Sequence, residues 1–425
     1  MIKTVKIFST FILLFIGVNV TAQSSDATDS SLMYVSGEGL LISLGKANKT
    51  KFNLQSTIQS GFNTFSFDST NKTTKTNRLS LNLVRLSLTV SGLKDKIGLG
   101  IVTDFTSTTP ILEGWASVKV FKENGTLFLG QRQTHTNNRL AMADERYWQV
   151  MGQTIAGRSN DGSTTGGLMQ NFVGATREGG LFLETNFKLK KWVIYPSASI
   201  TTGEGQNFFG IQNNVGFKYG GRLDIMPFGS FIKNGAYVAQ DVYREQKPKL
   251  AFGVAASYNL KVSSAIGADN ATITGIFNKA GEADFADYRK IVADLIFKHN
   301  GFAFVAEYVN TSVAGKELYT NIAATNKLTN DRASAFYNMG SSLNFQTSYV
   351  AKNGWGIDGR FTSITPEFYT QTSIVHKQNW YSFGLCKFIN SNSVRFGLNA
   401  TLIDDNDSKV NTKRWLGNLA VQILL

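Results

Sequence analysis

One cysteine, five prolines and three histidines are all that 425 residues contain of these types. Cys386 alone cannot close an internal disulfide, so no staple framework holds this fold. Long apolar runs are absent beyond Ile7–Val20: no later window holds 18 apolar residues without charge. That excludes a transmembrane helix there, and a mean hydropathy of −0.11 is too low for a helical membrane protein. A helical period of 3.6 persists nowhere for long. Catalytic signatures are missing too. There is no G-x-S-x-G with plausible partners, no H-E-x-x-H and no C-x-x-C. His135, His299 and His376 lie far apart, near predicted strand ends or in loops, where such residues are expected to be solvated. A barrel lipase would need Ser and His on neighbouring membrane-facing strands, and no such pair stands out. The fragments GEG at 37–39 and 203–205 read as turns. Neither an enzyme nor a cofactor nor a metal site is expected.

The N-terminal segment has the form of a leader. Lys3 and Lys6 precede the apolar run to Val20, and Val20-Thr21-Ala22 offers small residues for cleavage. This predicts a secretory signal peptide over 1–22, followed by an N-terminal periplasmic segment over 23–50. The apolar run is short for a span of about 20 residues. Net charge is +13, falling to +11 once Lys3 and Lys6 leave. The excess favours anionic partners. Export argues against nucleic acid, as does the absence of any run of five or six basic residues.

What the sequence has in quantity is glycine (40 residues), aromatics (12%) and small polar residues. These suit long strands joined by turns. Period-2 alternation recurs: Leu86, Leu88 and Val90; Ile97, Leu99 and Ile101; Leu250, Phe252 and Val254; Val394, Phe396 and Leu398. Sixteen strands are predicted, at 52–67, 78–92, 96–106, 111–121, 125–135, 174–188, 191–201, 214–226, 247–259, 286–298, 301–312, 334–350, 353–364, 379–388, 393–404 and 412–424. Many reach the roughly 9–11 residues that a tilted strand needs to cross a bilayer.

The connections give an independent test. The short links at 94–96, 122–125, 188–192, 298–301, 351–354 and 390–392 all fall on one end of a sixteen-stranded meander. The long links at 136–173, 260–285, 313–333 and 365–378 fall on the other. One medium link, 227–246, joins the short-link end. This segregation matches an outer-membrane barrel with short periplasmic turns and long external loops. Closure follows from physics, because an open sheet edge in lipid would leave a row of backbone groups unpaired. The expected fold is an all-β transmembrane antiparallel barrel over 51–425. Its outer face is apolar and its lumen wide enough for water. Trp115, Trp192, Trp355, Trp380 and Trp415 lie near strand ends and are expected to form interfacial girdles.

Residues 78–226 resemble the phosphate-selective porin O/P family in its divergent Bacteroidetes form. The resemblance rests on an ordered series: NRLSLNLVRLSLTVSG, LKDKIGLGIVTDF, PILEGWASVKV, TLFLGQRQ, then YGGRLDIMPFGSF and QKPKLAFGVAASYN. The leader into the first strand, GEGLLISLGKANKTKFNLQSTIQ, is similar as well. The resemblance implies a sixteen-stranded barrel, a homotrimer, and a third external loop folded inward to narrow the pore. Residues 136–173 are the candidate constriction loop. It also implies a ladder of basic residues handing anions through the lumen. The family tends to carry lysine at the position of Gln133; here the cation is Arg132, one residue away.

Strand parity assigns the lumen. It turns Arg78, Arg85, Lys119, Arg132, Lys218, Arg222, Lys249, Lys290, Arg360 and Arg395 inward. It also turns in Asp104, Glu113, Asp224, Asp294, Glu307 and Asp358, leaving an excess of four positive charges. Rings of Arg or Lys favour anions. The alternation slips near Val84 and Arg85, which predicts a bulge. Lys218 or Arg222 with Asp224, and Asp358 with Arg360, are candidate wall-bracing pairs. In the constriction loop, Leu140, Met142, Tyr147, Trp148 and Met151 form one apolar side of a short helix, with Arg139, Asp144, Glu145 and Arg146 bordering the channel. The expected function is a porin in the bacterial outer membrane. It would let small hydrophilic solutes diffuse passively, leaning toward anions, with phosphate as the candidate. Its partners are outer-membrane lipid and those solutes. The competing readings are a non-conducting structural or secretion-associated barrel, plugged by 136–173 and 227–246, and a secreted all-β adhesin.

Overall fold

The computed structural model describes residues 30–35, 38–45, 50–69, 72–107, 110–142, 172, 176–203, 205, 216–266, 273–390, 393–407 and 410–425. Two short strands, β1 (Ser31–Val35) and β2 (Gly39–Leu44), precede the wall. The wall comprises β3 (Thr50–Ser69), β4 (Lys72–Gly92), β5 (Ile97–Asp104), β6 (Ile111–Val120), β7 (Gly125–Gln133) and β8 (Arg177–Thr185). It continues with β9 (Phe187–Leu189), β10 (Trp192–Thr201), β11 (Lys218–Met226), β12 (Lys249–Asn259), β13 (Asp287–His299) and β14 (Phe302–Ala314). The last strands are β15 (Gly340–Val350), β16 (Trp355–Pro366), β17 (Gln378–Ile389), β18 (Val394–Asp407) and β19 (Val410–Leu424). β8 and β9 form one stave interrupted at Asn186, so the wall has sixteen staves, each antiparallel to the next. It closes where β19 pairs with β3, with Asn418 opposite Asn63 and Gln422 opposite Gln59.

That seam carries an amide ladder on its inner face. Gln59 donates to Gln422 at 3.1 Å, Asn418 donates to Asn63, and Asn399 donates to Asn418 at 3.3 Å. Side chains thus stitch the first and last staves as well as the backbone. The hairpin β1–β2 lies just below the seam. β2 pairs with Thr50–Leu54 of β3, past the point where Leu424 meets Thr57. Part of the expected periplasmic segment is therefore a continuation of the sheet.

Alternation decides the two faces. Along β12 Phe252 and Val254 are exposed outward while Ala251 and Ala255 are buried inward. Along β18 Phe396 and Leu398 face out and Arg395 faces in. The bulge comes a little earlier than expected: the β3–β4 register shifts between Gln59 and Ser60, whose partners are Leu83 and Leu81, and Asn82 is the extra residue. The short turns use left-handed backbone. Asn300 and Gly301, at φ 49° and 92°, join β13 to β14 as a tight hairpin.

Two expectations fail locally. Trp192, Trp355 and Trp415 point outward as girdle residues should. Trp115 and Trp380 do not. Trp115 lies on the inner face, where its direct neighbours across both ladders are Gly100 and Gly130, which leave room for an indole. Trp380 is fully buried inside, its Nε1 donating to Gln378 at 3.0 Å. The predicted strand at 334–350 begins only at Gly340. Its first residues belong to an external-loop core, where Tyr337 and Met339 pack with Ile276, Tyr288 and Leu318.

The outward face sets a stability prediction. Leu129 is 61% exposed on the outer face of β7. Leu129→Arg should cost about 2–4 kcal/mol when refolding into bilayers is measured by urea titration, the penalty of an arginine near the midplane. Thr89→Arg, on the inner face of β4, should cost little in the same assay.

Candidate functional site

The registers place all ten predicted cations on the inner face. Arg78 sits opposite Asn63, Arg85 opposite Thr57, Lys119 opposite Thr126 and Arg132 opposite Glu178. Lys218, Arg222, Lys290, Arg360 and Arg395 are buried, and Lys249 shares their inward parity near the short-turn rim. Many are engaged by carboxylates. Arg85 meets Asp104 at 3.3 Å, and Lys218 pairs with Glu178 rather than with Asp224. Asp358 accepts hydrogen bonds from Gln240 and Gln346. Sequence parity missed Lys298 and, on the acidic side, Glu178, Glu184 and Asp405, all of which face in. Arg414 also faces in, 3.8 Å from Asp405, so that carboxylate is balanced. Arg177 sits at the start of β8, where its Nε lies 2.8 Å from Glu113.

Two segments enter the barrel, one from each end. The first follows β7. Thr134, Thr136, Asn137, Asn138, Arg139, Leu140, Ala141 and Met142 are all buried. The backbone N–H of Leu140 donates to Glu307 at 2.8 Å, and Lys290 donates to the Asn137 side chain at 3.1 Å. Arg139 does not border open water. It completes a buried quartet with Arg222, Asp224 and Asp294. Arg222 reaches Asp224 at 2.6 Å and Asp294 at 2.7 Å; Arg139 reaches Asp294 at 2.8 Å and also donates to Asp224. Gly253 makes this possible: a Cβ there would lie 1.9 Å from the Arg222 guanidinium as it crosses β12 toward Asp294. Two guanidinium groups and two carboxylates cancel, which is the condition for keeping four charges in a dry place. Asp144, Glu145 and Arg146 lie outside the described residues, as do Tyr147, Trp148 and Met151.

The second is the link between β11 and β12, which at sequence level is only a medium turn. Phe231, Ala236, Val238, Ala239, Gln240, Asp241 and Glu245 are buried. Lys298 donates to the Gln240 carbonyl at 2.7 Å, and Asp241 accepts from the Gly301 backbone at 2.7 Å. Arg244 donates to the Val350 carbonyl. The two segments touch. Arg139 donates to the Ala236 carbonyl at 3.4 Å and lies 5.5 Å from the Tyr237 ring, while Leu140 packs with Phe231, Ala236 and Ala239. Ala141 and Phe172 pack against Ile364, Trp380 and Ile403 on the far wall.

The lumen is therefore asymmetric. Along β11–β19 the inner face is largely buried. Along β4–β10 toward the short-turn end, Thr89, Ser117, Lys119, Phe128, Arg132, Tyr195 and Ser197 keep partial or full exposure. Arg132 lines a cavity of about 350 Å³ there, with Glu184, Tyr195, Asn234 and Tyr237. Its guanidinium lies 3.7 Å from the Phe128 ring centroid, with Phe182 at 5.5 Å, and donates to Glu184. His135 also reaches Glu184, at 2.6 Å, so this histidine is tied to the wall rather than freely solvated. Several of these inward cations have no carboxylate partner among the described residues. Lys290 and Lys298 are buried on neutral acceptors. Lys119 and Lys249 lie toward the short-turn mouth on a hydroxyl and a carbonyl, and Arg78 is exposed toward the other end.

A closed sixteen-stranded wall with an apolar exterior, a charged interior, short turns on one rim and long loops on the other defines a bacterial outer-membrane β-barrel. The protein is a barrel of this class, and its place is the outer membrane. Solved structures agree on the fold. OmpT of Vibrio cholerae, an outer membrane protein, in its loop L8 deletion form, aligns with a TM-score of 0.51 at 9% identity, over 89% of this chain and 100% of that one. In-vitro folded OmpT gives 0.50 at 8% identity, over 89% and 99%. No protein-family model matches the chain, and no curated protein matches it by sequence.

Proposed function

We propose that this barrel is a porin, a non-enzymatic passage for small hydrophilic solutes that leans toward anions. The supporting observation is the part-exposed strip of inner wall along β4–β10, lined by Arg132, facing an inner wall along β11–β19 that is largely buried. Arg78, Lys119 and Lys249, without a carboxylate partner among the described residues, sit toward the two mouths of the lumen, where they raise the local concentration of anions. The middle is close to neutral, because Arg132 is balanced by Glu184 and Arg222 by two aspartates. Phosphate is the anion suggested by the resemblance to the O/P porins, and a homotrimer is the assembly it suggests.

Purified protein in planar bilayers should give discrete channels, a reversal potential in a salt gradient that favours chloride over potassium, and a chloride current reduced by added phosphate. Cation preference would end the anion and phosphate readings and leave the porin. A second reading, a barrel that conducts little, draws on the meeting of the two inserted segments at Arg139 and Ala236. It predicts silence from the intact protein and current only after one insert is removed.

A further inference from the structure

The short-turn rim holds a charge pattern that solute passage does not use. Three consecutive turns, 93–96, 121–124 and 190–191 with the preceding β9, contain six lysines and two carboxylates, Asp95 and Glu123. Asp95 is occupied: Lys51 donates to it at 2.7 Å and Ser91 at 2.6 Å, and these bonds, the Lys51 one foremost, hold its carboxyl below the usual range. Lys94, Lys96, Lys122, Lys190 and Lys191 are exposed and have no ion-pair partner among the described residues. The long-loop end differs. There Lys261 pairs with Asp284 at 3.0 Å, Lys316 with Asp287 at 3.1 Å and Lys327 with Glu317 at 3.6 Å, while Lys279 and Lys377 stand apart and exposed.

Large apolar side chains interleave with the unmatched lysines. Leu93, Phe121, Phe187, Leu189 and Trp192 are each between 42% and 65% exposed. Phe187 and Leu189 stand opposite Ile194 and Trp192 on the outer face of the wall, continuous with the outward Ile200 higher on β10 and the outward Ile97 and Leu99 on β5. The backbone N–H of Asn186 donates to the Asn124 carbonyl at 2.8 Å, which sets the 121–124 turn beside β9. The arrangement is thus an apolar lip dipping into acyl chains with ammonium groups at its lower margin. Lysine stems can lie along that lip while their heads reach the level of lipid phosphates.

From this we infer that the rim at Lys122, Lys190 and Lys191, with Lys94 and Lys96 beside it, is a binding collar for anionic phospholipid headgroups of the periplasmic leaflet. Charge complementarity favours phosphodiester headgroups without a compensating cation, as in phosphatidylglycerol. Continuity with the lipid-facing wall favours lipid over an anionic polymer of the periplasm, which would need lysines standing clear of the bilayer margin. The collar would hold the barrel at a fixed depth, and it is independent of whether the lumen conducts.

Trp192, outward and next to Lys191, supplies the readout. The full-length protein is refolded into phosphatidylcholine bilayers doped with brominated phosphatidylglycerol or brominated phosphatidylcholine, and the Trp192 signal is taken as the difference from Trp192→Phe. The anionic quencher should be preferred about fivefold at low salt, the factor for one well-engaged basic side chain near an anionic surface. The preference should fall toward one in Lys122→Gln/Lys190→Gln/Lys191→Gln, whose folding is checked by heat-modifiable migration. It should also fall toward one when salt is raised on the unaltered protein, which needs no variant. Equal quenching by the two lipids at low salt would overturn the proposal. So would a preference that survives both the triple substitution and high salt.

Discussion

Removing residues 231–245 and closing β11 to β12 with an Asn-Gly turn should raise single-channel conductance several-fold. The segment fills the short-turn half of the lumen, and it is held by side chains and turns rather than by strand pairing. Lys298 meets the Gln240 carbonyl, Asp358 receives Gln240, and Asp241 receives the Gly301 backbone. The β11–β12 ladder, from Lys218–Asn259 to Ile225–Phe252, would be untouched, so the wall should still close. The segment's own charges cancel, Asp241 and Glu245 against Lys233 and Arg244, so the change comes from Lys298, which would face water without its acceptor. Anion preference should therefore rise along with the conductance. Unchanged current in a folded variant would mean that the segment does not restrict the pathway.

Arg139→Ala should act at the other insert and push selectivity the opposite way. Asp224 and Asp294 would be left with Arg222 as their only guanidinium, a net negative charge in a site where all four side chains are at most 4% exposed. Breaking one side of such a buried cluster costs about 3–5 kcal/mol. The cost should fall locally on residues 134–142, because Arg139 also holds the Ala236 carbonyl and its backbone N–H holds Asp294. Conductance should increase and the reversal potential should shift toward cations. Arg139→Lys keeps the charge but has no planar fork to span both carboxylates, so it should give a smaller conductance change without the selectivity shift. If Arg139→Ala matched the wild type in both readings, the quartet would not anchor the first insert.

The wall was legible because lipid enforces a rule that survives in one dimension. A residue on the outer face must be apolar and its neighbour need not be, and every predicted stave coincides with an observed one on that basis. The interior follows no such rule. Arg139 and Asp294 are 155 residues apart, and nothing local in NNRLAMADE says that its arginine will be sealed between strands. Glu178 and Glu184 were hidden because REGGLFLET carries Phe182 on the inner face and glycines on both faces, which blurs the alternation. Trp115 shares parity with Glu113 and Ser117, so its inward position is written in the alternation even though tryptophan is common at the lipid margin. The stretch at 334–339 looked like strand because the aromatic residues that build a small core between external loops resemble those that face lipid. The link 227–246 was conspicuous as the one medium connection on the short-turn end, and it is the segment that turns into the lumen.

The one native cysteine gives the most direct test of a closed wall with a partly filled bore. Cys386 lies on the inner face of β17, 2% exposed, with the Gln240 amide 3.5 Å from its sulfur. A charged, membrane-impermeant maleimide should label it slowly in the intact, membrane-embedded protein and rapidly once residues 231–245 are removed. Rapid labelling of the intact protein would contradict a lumen covered by that segment. Labelling of the shortened protein by lipid-soluble reagents alone would place β17 the wrong way round and the wall with it.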